Sequence, residues 1–379
     1  MATAKKVSRV RAAPAAGKSE LDETIEAIHK RFGTNTAVRG SAVEQPERIS
    51  TGSFMLDFAT LGGIPHNRIS MFLGERHSGK STMADKVAGN AQRQYPDQQV
   101  VKIDIEGTHD SVWAEKNGVD VDRLTLIQPE TGEAAVDMAD ALVRTRDVSL
   151  VIIDSIAALV PMKEVDASAE DAHVGLQSRL VSSMVRKLTA GLISERNRDH
   201  KVTVLFVNQF RTKIGGWAPA GATPRSIPGG KALEYSTSLQ VIFKNKESMG
   251  RDEFEVETVG VNEHSFDITK NKLNSGPRQG EFQMLRIPDP ELGLAEAEID
   301  DASTMLAYAK KFGIYTGGGK SWTLAFDSDE HRFGKLDEAV HALYEDREFY
   351  WRLRNFLIRT QAEHLGMPES FLARLYNDY

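Results

Sequence analysis

The run Gly74-Glu75-Arg76-His77-Ser78-Gly79-Lys80-Ser81 constrains this chain more than any other stretch, because it satisfies G-x-x-x-x-G-K-[ST] at every fixed position. Such a loop works only where a strand hands over to a helix. Its glycines let the backbone curl until successive N–H groups face inward, and the positive end of the next helix favours an anion. The flanks agree: Arg68–Leu73 reads as a buried strand and Ser81–Arg93 as a helix. In that setting Gly74 to Ser81, with Thr82 beside them, wrap phosphates. Lys80 reaches the β- and γ-phosphates, and the Ser81 hydroxyl is placed for Mg²⁺. The competing reading, a glycine-rich turn with a surface lysine, leaves the strand–loop–helix order unexplained. An α/β fold that binds a nucleoside triphosphate with Mg²⁺ is the expectation.

Composition sets outer bounds. At 379 residues the chain exceeds one comfortable core, so a large domain with smaller appendages is expected. No run approaches the roughly eighteen apolar residues of a membrane span. Met1–Lys18 lacks an apolar signal core, and there is no cysteine, which together suit a cytoplasmic protein. A net charge of −7 argues against a uniformly basic nucleic-acid binder, but not against a local basic channel.

Four parts follow from the pattern. Residues 1–18, with Lys5, Lys6, Arg9, Arg11 and Lys18 among Ala, Pro and Gly, read as a disordered basic tail. Within 19–39, Ser19 and Asp22 open a short helix carrying Leu21, Ile25, Ile28 and Phe32 on one face, closed by Gly33. So short a helix does not stand alone. It docks either on its own core or on a neighbouring subunit, and the sequence leaves both open. From 40 to 290, near-continuous apolar strands (Val100–Ile105, Leu124–Ile127, Leu150–Ile153, Val202–Val207) alternate with helices such as Glu133–Thr145 and Leu176–Ser194. That alternation predicts a mainly parallel sheet covered on both faces. Residues 291–379 then form a small C-terminal α/β domain.

In such sheets chemistry gathers at the carboxyl ends of the strands. Asp104 and Glu106 end one strand, Asp154 another, Asn208 and Gln209 a third. Asp154, after four apolar residues, is placed to hold the Mg²⁺ shell. Glu106 is the candidate base for the attacking water, and Gln209 can bond the γ-phosphate or that water. A lone strand-end acid is as readily a helix cap or a surface charge; three beside a phosphate loop are harder to dismiss.

Taken in order, Ile49-Ser50-Thr51-Gly52-Ser53, the loop around Lys80, Asp104-Ile105-Glu106, Gln128–Glu133, Asp154–Leu159 and Asn208–Gly215 resemble the landmarks of bacterial RecA recombinases over residues ~20–285. The resemblance implies a P-loop RecA-type ATPase core. It also implies an ATPase that polymerises into a helical filament on single-stranded DNA and exchanges strands with a homologous duplex. Glu75-Arg76-His77 and the expanded C-terminal region depart from ordinary bacterial members, which points to a phage-borne or otherwise divergent recombinase.

Residue by residue, the resemblance implies that Asp110 and Trp113 lie against the adenine base. It implies a first DNA loop over Met162–Gly175, ending His173-Val174-Gly175, and a second over Phe210–Gly230. In the second, Arg211, Lys213 and Arg225 would hold phosphates, Ile214 and Trp217 are apolar tips, and Val174 and Ile214 would wedge between bases. Gly215 and Gly229-Gly230-Lys231 complete that stretch. Lys270 and Lys272 resemble the lysines that reach the ATP of the adjacent subunit, adding positive charge to phosphoryl transfer. Ser265 and Asp267 stand where relatives carry basic residues for the incoming DNA, leaving Lys244 and Lys246 as substitutes. A hexameric helicase and a signalling ATPase that binds no DNA are the alternatives; the Asn208–Gly215 and Gly229–Lys231 stretches favour the recombinase.

Overall fold

The structure is a computed structural model that describes residues 19–40, 43–165, 175–212, 225–251 and 257–376. Its first element, helix α1 (Glu20–Phe32), opens on a capping box: Asp22 N–H donates to Ser19 Oγ (3.2 Å) and Ser19 N–H to the Asp22 carboxylate (3.1 Å). No residue of α1 is buried, and Leu21 (66%) and Phe32 (52%) stand in solvent.

Next comes a fully buried helix, α2 (Phe54–Thr60), and then the strand–loop–helix unit: β1 (Ile69–Gly74), whose six residues are all buried, and α3 (Lys80–Gln94). Strand β2 (Gln99–Asp104), helix α4 (Ser111–Lys116), strand β3 (Leu124–Ile127), helix α5 (Gly132–Val143) and strand β4 (Val148–Asp154) follow. Helix α6 (Leu176–Asn197) and strand β5 (Thr203–Gln209) complete the alternating region. Helix α7 (Gly230–Ser236) leads into a long hairpin, β6 (Leu239–Arg251) and β7 (Glu257–Asn271), and then to β8 (Gln279–Leu285) and β9 (Ile299–Asp300).

These nine strands form one sheet in the order β9-β8-β7-β6-β1-β5-β4-β2-β3. From β6 to β3 neighbours pair in parallel, as the apolar strand pattern requires; β7, β8 and β9 add antiparallel. The change of sense has a visible cause. Along β7, His264, Phe266 and Ile268 are buried while Ser265, Asp267 and Thr269 are not, the alternation of a strand with one solvated face. Strand order alternating across β1 brings the loop after β1 between β5 and β6, with Gly74 in register with Gln209 on one side and Phe243 on the other.

Two apolar layers cover the sheet. One packs α5 and α6, through Val136, Ala139, Leu188 and Leu192, against Val151, Ile153 and Phe206. The other begins with Phe54 and Phe58 of α2 and runs on without a break into helix α8 (Ala302–Lys311) and the C-terminal residues beyond it. The Tyr308 ring of α8 lies tilted against Phe58, 4.5 Å between centroids, and Phe54 N–H donates to Asp301 Oδ2 at 2.6 Å. After α8 come a three-stranded antiparallel sheet, β10 (Tyr315–Gly318), β11 (Ser321–Phe326) and β12 (Asp329–Phe333), and helices α9 (Leu336–Glu345) and α10 (Arg347–His364). Arg354 of α10 reaches back to Asp57 of α2 in a fully buried pair. No helix among the described residues is long and apolar enough to cross a membrane.

Candidate nucleotide site and DNA-facing loops

Gly79 adopts φ +87°, and His77 φ +58°, which turns the chain sharply ahead of α3. The cradle has no room for side chains: a Cβ on Gly74 would sit 2.4 Å from Ser78 Oγ, and one on Gly79 2.5 Å from His264 Cε1. Lys80 lies buried inside the loop and donates to the Glu75 carbonyl (2.5 Å) and to Ser78 Oγ (3.3 Å). Burial pulls its pKa down, while Asp154, Glu106 and Glu75 pull it back up. An ammonium group whose hydrogen bonds go to the neutral Glu75 carbonyl and Ser78 hydroxyl, in so tight a cradle, fits the phosphates of a nucleotide.

Asp154 ends β4 level with Asp104 on β2 and hydrogen-bonds the Ser81 hydroxyl. Burial pushes its carboxyl up to about 6, against the opposing pull of Lys102 and Ser81. A buried carboxylate and a hydroxyl at the mouth of a phosphate cradle are the hard oxygen donors that Mg²⁺ takes, so the residues fit that ion. Glu106 stands two residues beyond β2. Ser155 Oγ donates to its Oε1 at 2.5 Å and Gln209 Nε2 donates to the same oxygen at 2.9 Å. Three strand ends thus meet on one carboxylate.

Asp110 serves as the N-cap of α4, accepting from Trp113 N–H (3.0 Å). Trp113 anchors to the phosphate-loop helix, its Nε1 donating to Thr82 Oγ1 (3.1 Å), and the Arg286 guanidinium lies over its ring at 4.3 Å. Both line a cleft of about 990 Å³ that opens from His77, Gly79 and Thr82.

On the other side of the loop, Arg225 pairs with Glu75 at 3.1 Å and rests over the Phe210 ring at 5.6 Å. Arg211 donates to Gln177 Oε1 (3.2 Å) and to the Ala157 carbonyl, tying the start of the second loop to the foot of α6. Gly175 (φ +84°) opens α6, and Gly229 and Gly230 (φ +98° and +72°) open α7. The expected contacts at His173, Val174, Lys213, Ile214, Gly215 and Trp217 lie outside the described residues.

Lys270 and Lys272 stand at the opposite end of the sheet. Lys270 registers with Gln240 and Gln240 with Met71, three residues before Gly74, and both lysines donate to the Tyr235 carbonyl at the end of α7. Lys244 is paired with Asp267 (2.7 Å) and Lys246 with Glu263 (3.3 Å), so each of these cations already faces an acid across the hairpin.

Sequence reasoning missed four participants. Lys102, almost fully buried within β2, pairs with Asp85 of α3 at 2.8 Å and lies 4.0 Å from Asp154. Burial alone would lower its pKa, but Asp85 and Asp154 outweigh it and hold it above the ordinary value. A lysine inside an apolar strand, and an acid one helical turn after Ser81, were the signals in the chain. Ser155 and Arg286 carried none, because their partners are remote in sequence.

The family model described as the RecA N-terminal domain matches residues 19–287. Among curated relatives, Protein RecA of Bifidobacterium breve is 37% identical over 332 residues, covering 87% of this chain and 78% of the relative. Protein RecA of Clavibacter michiganensis subsp. michiganensis is 38% identical over 331 residues, 86% and 84% of the two chains. Protein RecA of Streptomyces venezuelae is 38% identical over 270 residues, 70% and 67%. The matched span holds the phosphate loop, the Glu106–Ser155–Gln209 cluster and both loop bases, and the chain belongs to the RecA family of recombinases, which act in DNA recombination and repair.

Proposed function

We propose that this chain is a cytoplasmic DNA-dependent ATPase that polymerises on single-stranded DNA and exchanges strands with a homologous duplex, hydrolysing ATP with Mg²⁺ to turn its filament over. One observation carries the reading: Gln209 holds Glu106 at 2.9 Å, and two residues later Arg211 begins the second loop. The hydrolytic carboxylate and a DNA-facing cation thus meet at one strand end.

ATP phosphates would replace the Glu75 carbonyl and Ser78 as partners of Lys80, and Ser81 and Asp154 would hold Mg²⁺. The ion supplies charge neutralisation on the β- and γ-phosphates. Glu106 accepts the proton of the attacking water at its carboxylate, kept in place by Ser155. Gln209 can turn from Glu106 to a γ-phosphate oxygen, which moves Arg211 with it and links nucleotide state to DNA contact. Lys270 and Lys272, remote from their own phosphate loop, suit a neighbour's site, and the exposed Leu21 and Phe32 of α1 suit a neighbour's core. Residues 40–290 form the ATPase body and 291–379 the C-terminal domain. Electron microscopy with single-stranded DNA and a non-hydrolysable ATP analogue tests this. Helical filaments dependent on both are expected; closed rings, or assembly indifferent to DNA, contradict it.

A further inference from the structure

Arg48 lies far from the phosphate loop, in the two-residue strand Arg48–Ile49 that pairs with Ile64–Pro65, and it is only 5% exposed. Its Nε donates to the Leu61 carbonyl at 3.2 Å, and the guanidinium carbon sits 5.4 Å from the centroid of the Phe371 ring. Nη1 and Nη2 are buried and complete no hydrogen bond among the described residues.

A buried cation ordinarily has an acid beside it, because an unpaired charge is costly to remove from water. Around Arg48 the acids are engaged elsewhere. Asp57 pairs with Arg354 of α10, Glu44 pairs with Arg374 at 2.6 Å, and Glu47 holds Lys201 with both carboxylate oxygens at 2.7 Å. Burial lowers the Arg48 pKa to about 9 and Arg68 adds to that, with no acid among the described residues pulling it back. At neutral pH the group is still a cation. Pairing Arg354 and Arg374 with their acids leaves one positive charge over, and it belongs to Arg48.

That charge borders a cavity of about 40 Å³ between the core and the C-terminal residues. Arg48 and Gln94 line it on the core side. Arg354 lines it from α10, and Phe371 and Arg374 from the helical turns Glu369–Leu372 and Ala373–Tyr376. At roughly 10–15 Å³ for one water, the space takes about three water-sized groups, the bulk of a small oxyanion. Water would meet the hydrogen bonds but leave the charge unbalanced. The two Nη groups of a planar guanidinium suit two oxygens of one anion side by side.

We infer that this cavity is a small-oxyanion site, in which Arg48 grips two oxygens of an ion of the sulfate or phosphate class and the ion ties the C-terminal helical turns to the core.

Thermal unfolding of the full chain and of Arg48→Met, with sulfate replacing chloride at constant ionic strength, tests it. Without sulfate, Arg48→Met should melt at the same temperature or higher, since an unpartnered buried charge gives way to an apolar side chain. With sulfate at about a hundred times its Kd, the unsubstituted chain should gain on the order of 3–5 °C more than the variant. The phosphate loop is present in both proteins and shifts both alike. In crystals soaked with selenate, anomalous scattering should place the ion within hydrogen-bond distance of both Nη atoms of Arg48. Equal sulfate shifts in the two proteins overturn the inference. So does a lower melting temperature of Arg48→Met without sulfate, which would show that the chain supplies the counter-charge itself. If Arg48→Met does not fold, the selenate experiment decides alone: water or a protein carboxylate against the Nη atoms overturns it.

Discussion

At the scale of single residues, the site is a set of charges whose neighbours decide what each can do. Glu106 keeps two donors on one oxygen, Ser155 and Gln209, which leaves its other oxygen for the attacking water in the proposed reaction. Glu106→Gln should therefore bind ATP and DNA while hydrolysing about 10²-fold more slowly, as removal of a positioned base does. Ser155→Ala should lower kcat by about tenfold with little change in KM, because it loosens the base without touching the nucleotide. Steady-state ATPase assays read both, and unchanged kcat in Glu106→Gln would move the base elsewhere. Asp154 gives a pH signature. Burial raises its carboxyl to about 6, so protons would compete with Mg²⁺ held there below that pH. Apparent Mg²⁺ affinity should fall by up to about tenfold per pH unit below 6 and level off above 7. The sign for stability follows the same shift: the folded state holds this proton more tightly than the unfolded chain does, so without metal the contribution declines as pH rises from about 4 to 6.

At the scale of elements, α2 is the joint between the two halves of the core. Seven residues long and entirely buried, it joins the sheet layer to the C-terminal helices through Asp301, Tyr308 and Arg354. Burial lifts the Asp301 carboxyl to about 7, the Phe54 amide and Arg354 opposing and Asp57 reinforcing. A raised carboxyl pKa means stability is lost as pH rises from about 4 to 7. Asp301→Asn, which keeps an oxygen for Phe54 N–H, should flatten that slope and raise Tm at pH 8 by a few degrees, worth about 1 kcal/mol or more. A lower Tm at pH 8 would show that the ionised carboxylate is needed by Arg354. Helix α1 is the opposite case, capped at its start and with no buried residue, Leu21 and Phe32 standing in solvent. Deleting residues 1–33 should leave nucleotide binding intact and shorten filaments severely; filaments of ordinary length would mean that the exposed Leu21–Phe32 face has no partner in the assembly.

How much of this was legible follows from how local each signal is. The phosphate loop announces itself because its function depends on eight consecutive residues, and strand-end acids can be found by counting along apolar runs. Ser155 could not be placed so, because it meets Glu106 only through the register of strands far apart in the chain, whereas Lys102 and Asp85 left local traces, a lysine in an apolar strand and an acid one turn into the helix. The antiparallel edge was written in the alternation of Ser265–Thr269, yet Lys244 and Lys246, the expected substitute DNA cations, face Asp267 and Glu263 instead.

At the scale of the whole molecule, a chain of net charge −7 must bind a polyanion through a local field. Arg211 and Arg225 are two described cations at the base of the second loop, each already held inside the chain, by Gln177 and by Glu75. Their release on DNA would couple both loops to the phosphate loop. Arg211→Ala with Arg225→Ala should reduce affinity for single-stranded DNA and lower the salt slope by roughly 0.7 for each phosphate no longer neutralised. An unchanged slope would remove these residues from the DNA surface. The central claim, that hydrolysis and DNA binding share the Glu106–Gln209–Arg211 strand end, is tested most directly by ATP hydrolysis with and without single-stranded DNA in the unsubstituted protein and in Gln209→Ala. The account predicts at least about tenfold stimulation by DNA in the first and its loss in the second, with nucleotide binding retained. Hydrolysis that ignores DNA in the unsubstituted protein, or full stimulation in Gln209→Ala, would contradict it.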